Sequence, residues 1–484
     1  MKPIHTLLFI LGVFLLLALA MSFSPKEGVK IGAFTWQMPT FGEMFFEEKE
    51  GYADLSTIIN QQFEIDSLVD LEIEDDSVVE VIRRANYDSL AQSISKLEMD
   101  TLGRRNLNRF FARLKKDTLV RIMHYGDSQI EGDRITAFVR NKLQMRFGGT
   151  GPGLRPAVQP YDFIFSARQM HSDNWKRFPI YGNVDTTIMH HRYGVMGAFA
   201  RYTPPVNDSV VSSDSTIYNA WLSVSKTKIS YRRTQQYEYM RLFYGNAKSP
   251  VKTVVQTGTD TLLSATLPEN INFGVLEWDL PDSTSDITLQ FSGCDSPDIY
   301  GIELASRKGI IMDNIALRGC SGTIFTKANY THSLKMYKSL NPSLFILQFG
   351  GNVVPYIYDR KAIKRYGHWF GRQIERLQSL CPGAAILVIG PSDMSTKEKD
   401  KYVTYGHLPA VVEELKKVSF QNGVAYWDMY KAMGGRNSMP SWVNARLAGP
   451  DYVHFSAKGA RLVANMFYNA LIYEYNNYLE GKGK

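Results

Sequence analysis

Three different rhythms of apolar and polar residues run along this chain, and they change at definable places. An almost unbroken apolar run from Leu7 to Met21 opens it. Leu107, Phe110, Phe111 and Leu114 then stand at i, i+3, i+4 and i+7, the spacing of one buried helix face. The apolar run Leu119 to Tyr125 predicts a buried strand, the turn Gly126-Asp127-Ser128 follows, and Ile135, Val139 and Leu143 return to helical spacing. The C-terminal part repeats this alternation, with strands expected near 310–316, 343–349, 385–389 and 424–427 and helices at 359–380 and 456–479. Alternating β and α elements predict a parallel sheet covered on both faces.

Between residues 159 and 305 the character is different. Short runs such as Met240 to Tyr244, Val251 to Gln256, Val275 to Leu280 and Ile287 to Phe291 are separated by Gly, Asn, Pro and Asp turns. They predict an antiparallel, jelly-roll-like β-sandwich inserted into the α/β domain. Residues 22 to 85 lack a clear period and carry short patches such as Val78, Val79, Val81 and Ile82, which read as a solvated linker or peripheral helix.

Composition sharpens this picture in three places. The chain has 484 residues, 44% hydrophobic and 21% charged, which excludes a collagen-like, low-complexity or wholly disordered protein and implies more than one folding unit. The net charge of +7 is uneven: residues 41 to 100 hold 16 Asp and Glu against 4 Lys and Arg, so that stretch is −12 and the remainder +19. No run of five Lys or Arg and no nucleic-acid motif occurs, so nucleic acid is not an expected partner. Lys2 precedes the opening apolar run, which at about 1.5 Å per residue falls short of the ~30 Å hydrocarbon core of a bilayer. With Ala18 and Ala20 in an A-x-A pattern it reads as an export signal, or alternatively as an uncleaved anchor. The remainder is then expected to be soluble and extracytoplasmic. Cys294, Cys320 and Cys381 are too far apart for a C-x-x-C pair and allow at most one disulfide.

Candidate chemistry lies in four short blocks. H-Y-G-D-S-Q places Ser128 just past a strand and before a helix, where a hydroxyl projects from the carboxyl edge of a parallel sheet. In Asp451-Tyr452-Val453-His454, three-residue spacing in a turn lets the carboxylate hold the imidazole Nδ1–H and leaves Nε2 free as a base. Of nine histidines, only His454 has an Asp three residues before it. An attacking serine also needs donors for the oxyanion. Leu317 to Thr323, L-R-G-C-S-G-T, offers the Gly322 amide, and Phe349 to Asn352, F-G-G-N, offers the Asn352 side chain.

These blocks, in this order, resemble the SGNH or GDSL-like hydrolase family. The resemblance covers roughly residues 101–158 and 306–484 and implies a flavodoxin-like parallel-sheet core. It implies Ser128, Asp451 and His454 as the catalytic residues, and Ser128, Gly322 and Asn352 as the oxyanion hole, with no cofactor and no metal. Two positions depart from the common pattern: Gln129 stands where many members have Leu, and Val353 stands where G-x-N-D would have Asp. The first occurs in relatives acting on polysaccharides; the second removes a carboxylate from behind the Asn352 loop. The organisation is similar to that of bacterial peptidoglycan and polysaccharide O-acetylesterases, whose inserted module resembles carbohydrate-binding domains. Residues 1–21 then form the signal or anchor, 22–100 an acidic, partly helical spacer and 159–305 the inserted module. Trp175, Trp221 and Trp278 are candidates for stacking on sugars, and core packing is the expected role for most of them.

The expected function is removal of O-acetyl groups from a cell-envelope or extracellular polysaccharide, in the bacterial periplasm or envelope. An O-acetyltransferase using the same acetyl-enzyme, partnered by a membrane O-acyltransferase, is the alternative, and a non-catalytic glycan-binding protein a third reading. An α/β-hydrolase would need G-x-S-x-G, which is absent. A metallo-deacetylase would need clustered His and Asp ligands, and His190-His191 lacks metal-site spacing.

Overall fold

Five parallel strands form the sheet that carries the candidate site: β1 (Leu119–Gly126), β2 (Gly309–Ala316), β3 (Pro342–Gln348), β4 (Ala385–Ile389) and β5 (Ala425–Trp427). The computed structural model describes residues 3–23, 29–31, 34–36, 52–56, 58, 95–116, 118–161, 163–204, 216–269, 271–282 and 284–481. The strand order is β2-β1-β3-β4-β5, with every adjacent pair parallel. This is the flavodoxin-like order, whose topological switch point lies between β1 and β3.

Six helices cover the sheet: α1 (Thr101–Leu114), α2 (Thr136–Phe147), α3 (Tyr330–Leu340), α4 (Arg360–Leu380), α5 (Leu408–Gln421) and α6 (Ala457–Leu479). The strands sort their side chains by the two-residue period. Leu344 and Ile346 of β3 pack with Leu107, Phe111, Val139, Val463 and Phe467 of α1, α2 and α6. Phe345 and Leu347 pack with Tyr337, Phe370, Ile374 and Leu415 of α3, α4 and α5. Burying a Leu or Phe this completely stabilises by about 1.5–3 kcal/mol, so the two layers supply most of the drive to fold. Side-chain caps fix the starts of α1, α4 and α6: Asp100, Asp359 and Ser456 accept from the amides of Gly103, Ala362 and Gly459.

Two antiparallel sheets form the module between β1 and β2. One orders strands Asp260–Leu267, Val251–Thr257, Asp286–Gly293, Tyr218–Ser225 and Arg168–His171; the other orders Gly274–Asp279, Tyr239–Gly245, Asp298–Ala305, Ala198–Arg201 and Lys176–Pro179. The short strand Gly153–Arg155, N-terminal to the expected start at 159, also pairs with Asp298–Ala305. Trp175 and Trp278 are buried in this module and Trp221 is partly exposed. A buried charge cluster ties module to core: Arg121 of β1 donates to both oxygens of Asp313 on β2 at 2.9 Å and pairs with Glu303 of the module, which also holds Tyr239 and Arg241.

Part of the expected spacer belongs to the core. Leu55 and Leu97 are buried in it, and Glu98 makes an antiparallel bridge to Tyr426 on the β5 edge. The Val78 to Ile82 patch lies outside the described residues. The N-terminal unit, Met1–Tyr52, contains a helix over Pro3–Phe23 and an antiparallel pair, Val29–Ile31 with Phe34–Trp36. Among the described residues no helix is long and apolar enough to cross a membrane. Cys294, Cys320 and Cys381 are all free thiols.

Candidate active site

The sequence-predicted residues arrive at the carboxyl edge of the sheet from three neighbouring strands and one C-terminal loop. β1 ends at Gly126, where a Cβ would stand 2.9 Å from the Ile130 side chain, so the chain turns tightly into a helical turn, Ser128–Asp133. Asp127 caps that turn by accepting from the Gln129 amide at 3.0 Å. Ser128 stands first in it, where backbone N–H groups have no partner inside the helix.

A buried polar chain fixes the turn from behind. Gln348 Oε1 lies 3.1 Å from His124 Nε2, and Thr136 Oγ1 lies 3.0 Å from His124 Nδ1. The amide oxygen accepts only, so Nε2 carries the proton and Nδ1 accepts from the Thr136 hydroxyl. Asn314 Nδ2 donates to Thr136 Oγ1 at 2.7 Å and to the Ile130 carbonyl at 3.0 Å. Burial drives the His124 pKa down to about 3, so this histidine is a neutral structural bridge.

The loop after α5 and β5 brings in the acid and the base. Gly449 N donates to the His454 carbonyl at 2.8 Å and Tyr452 N donates to the Gly449 carbonyl at 3.1 Å, closing a tight turn. Tyr452 adopts a left-handed φ of 56° there; its ring stacks on Tyr402 at 3.6 Å and its carbonyl accepts from Ser395 N at 3.0 Å. The result is a continuous hydrogen-bonded chain across 326 positions of sequence: Ser128 Oγ to His454 Nε2 at 2.7 Å, then His454 Nδ1 to Asp451 Oδ2 at 2.7 Å. Asp451 Oδ1 also accepts from the amides of Val453 and His454 at 3.0 Å. Burial raises the Asp451 pKa, but the side-chain and backbone hydrogen bonds from His454, and that from Val453, outweigh it and hold the carboxyl below its usual value. Asp451 is therefore ionised and positioned to accept Nδ1–H, which leaves Nε2 to accept from the Ser128 hydroxyl.

Gly322 follows β2 and Asn352 follows β3. Gly322 has φ 77° and donates its amide to Cys320 Sγ at 3.3 Å, a weak acceptor. Asn352 Nδ2 donates to the Cys320 carbonyl at 3.2 Å, which joins the two loops, and its other amide hydrogen has no acceptor among the described residues.

Sequence reasoning singled out Gln129 as a departure without giving it a task. Its Nε2 donates to the Val453 carbonyl at 2.7 Å and to Ser392 Oγ at 3.2 Å, so it joins the serine turn to the Asp451–His454 loop. Asp127 was also passed over. It is 5% exposed, and burial pushes its pKa up to about 6 against the Gln129 amide and the nearby His454. Tyr356 and Tyr358, in the segment that follows Asn352, are 75% and 79% exposed. No group of His, Cys, Asp and Glu suited to a metal occurs among the described residues.

Comparison with known proteins agrees with this geometry at the level of family and fold. Residues 287–462 match the GDSL-like Lipase/Acylhydrolase family, so the chain carries a GDSL-like hydrolase domain. A solved peptidoglycan O-acetylesterase is 20% identical, with 76% of this chain and 96% of that one covered at a TM-score of 0.59, a likeness of fold. An acetylxylan esterase from Geobacillus stearothermophilus is 17% identical, covering 34% of this chain and 73% of its own at a TM-score of 0.26. A family two carbohydrate esterase from Cellvibrio japonicus is 10% identical, covering 45% and 87% at 0.19. No curated protein matches the chain.

Proposed function

We propose that this GDSL-like hydrolase is a serine esterase that removes O-acetyl groups from an extracytoplasmic polysaccharide. The observation that carries the reading is the unbroken Ser128–His454–Asp451 chain with both bonds at 2.7 Å. In the reaction Ser128 Oγ attacks the acetyl carbonyl while His454 Nε2 takes its proton, forming the carbon–oxygen bond of a tetrahedral oxyanion. The amides of Ser128 and Gly322 and the Asn352 side chain donate to that oxyanion, a stronger acceptor than the Cys320 thiol that Gly322 otherwise meets. Collapse breaks the ester bond, and His454 returns the proton to the departing sugar hydroxyl. Water then attacks the acetyl-serine by the same route and releases acetate.

Three features support a polymeric sugar as the acyl carrier. The His454 and Asp451 side chains are 36% and 50% exposed, so the base is open to a bulky substrate. Tyr356 and Tyr358, four and six residues after Asn352 in the chain, are exposed rings, and amphipathic aromatic surfaces suit sugar faces. A solved structure that shares this fold is that of a peptidoglycan O-acetylesterase. The extracytoplasmic location rests on the Leu7 to Met21 run and its A-x-A ending.

The test is acetate release from O-acetylated peptidoglycan, xylan and an acidic exopolysaccharide, with a chromogenic acetyl ester alongside. Ser128→Ala is expected to abolish release from all of them, and turnover that survives this substitution refutes the mechanism. Acetylated glycan accumulating from an acetyl donor, in place of free acetate, would instead identify a transferase.

A further inference from the structure

A cavity of about 30 Å³ lies between the core and the inserted module, lined by Asp133, Arg140, Arg155, Tyr161, Ser166 and Arg177 among others. Its charges do not balance. Asp133 is already committed, since Arg140 donates to its two oxygens at 2.7 and 3.1 Å. Arg155 is 4% exposed; its Nη1 donates to Ser166 Oγ at 2.9 Å and its Nε to Gln169 Oε1 at 3.4 Å. The Arg155 Nη2 and the Arg177 Nε are buried and have no hydrogen-bond partner among the described residues. Burial lowers the Arg155 pKa to about 10, with Asp133 opposing and Arg140 assisting, so the group keeps its charge at neutral pH.

A buried cation without a counter-charge is unfavourable unless an anion meets it. The cavity lies against β2, the strand next to the one that leads into the serine turn. Ala316, which lines it, is in register with Gly126 at the end of β1, and Asn314, also lining it, holds the Ile130 carbonyl of the serine turn. Next to it Arg318 pairs with Glu131 and lies over the Tyr161 ring, so that pair is neutral and contributes no counter-charge. The space is too small for a sugar ring but suits a planar acid group, which guanidinium forks bind in a bidentate manner.

We propose that the Arg155–Arg177 recess receives a carboxylate borne by the acylated glycan, which selects acidic polymers and sets an acetyl group at Ser128. The inference rests on the esterase reading of the neighbouring site, so its test uses binding rather than turnover. The probe is an O-acetylated oligogalacturonide, compared by calorimetry with the same oligomer after methyl esterification of its carboxyls, on Ser128→Ala protein. The acid form is expected to bind at least ten times more tightly. Adding Arg155→Met or Arg177→Gln is expected to bring the two forms within twofold of each other. Equal binding of acid and ester by the Ser128→Ala protein overturns the proposal, and so does a preference that persists in the Arg177→Gln protein. Arg177→Gln keeps the test open should Arg155→Met fail to fold, because Arg177 is only partly buried. Acetate release by the unaltered protein is measured separately, so a failed esterase reading shows as no release while acid-selective binding remains.

Discussion

Gly322→Ala separates the structural and chemical demands on the loop after β2. The residue has φ 77°, where an L side chain is strained by about 1–2 kcal/mol. A Cβ built there stands 2.8 Å from the Phe349 ring and 3.1 Å from that of Phe370. Both rings are fully buried, at 1% and 0% exposure, and neither has room to retreat. Overpacking of this kind costs about 1–3 kcal/mol, so the variant is expected to lose roughly 2–5 kcal/mol in all. If the loop shifts to relieve the contact, the Gly322 amide leaves the oxyanion, and losing one such donor costs about 10²–10³ in kcat. Two measurements on one sample suffice: the denaturant midpoint and kcat on a chromogenic acetyl ester. Asn352→Ala is the companion, because it deletes a donor from a half-buried side chain without adding an atom. It is expected to lose a similar factor in kcat with a much smaller change in midpoint. Gly322→Ala protein with the parent's midpoint would refute the packing argument, and its full kcat would remove Gly322 from the oxyanion hole.

Three further variants test other links in the argument. Asp451→Asn keeps the shape but forces the wrong imidazole tautomer, and an approximately ten-thousand-fold fall in kcat is expected, measured by acetate release at saturating ester. Asp127 has a folded pKa raised from 3.8 to about 6, so it favours the native state below pH 4 and loses that contribution as pH rises through 6; the cost above pH 6 is roughly 3 kcal/mol as an upper bound. Asp127→Asn is therefore expected to raise the denaturant midpoint at pH 8, with the gain vanishing near pH 4; a gain independent of pH contradicts the assignment. Arg121→Met leaves the buried Asp313 carboxylate without its cation, while Glu303 keeps Arg241 and Tyr239, and a loss of about 3–5 kcal/mol is expected from the denaturant midpoint, with kcat per folded molecule largely kept.

Periodicity located the parallel strands because each is buried along nearly its whole length, and β3, Pro342–Gln348, is buried at every position. Helix α6 was equally legible, since Ser456 caps it and its apolar residues repeat at helical spacing. Helix α3 was not, because its buried face includes His332 and Ser333, which read as polar positions. Helix α5 went unnamed although Leu408, Val411, Val412, Leu415 and Val418 keep the spacing. The acidic stretch before α1 read as a spacer on composition, yet Leu55 and the backbone of Glu98 are part of the core, because a bridge to Tyr426 depends on main-chain groups that no side-chain pattern reports. At the site, motif spacing named the residues with evident chemistry. The Gln129 link to Val453 and the buried Asp127 depend on how far apart two loops lie, and that distance has no signature along one segment.

The inserted module separates the serine turn from the rest of the candidate site along the sequence without separating them in space. The family match begins at residue 287, so the insertion leaves Ser128 outside the matched stretch although Gly126 and Ala316 are register partners on adjacent strands. Departure and return of the module are forced together. A Cβ on Gly149 would lie 2.4 Å from Ile310 N, and one on Gly309 would lie 2.3 Å from the Gly148 carbonyl carbon. Only glycine permits that crossing, and Gln144 pins it by donating to the carbonyls of Gly151 and Ile310 at 3.1 Å. The break therefore falls at the amino end of β2, the far end of the strand from the candidate site. The module then folds back along the core and places Arg155 and Arg177 in a cavity shared with Asn314 and Ala316 of β2. An insertion at this point adds a wall to that cavity while the Ser128–His454–Asp451 chain stays intact, so the module can vary without moving Ser128, Asp451 or His454.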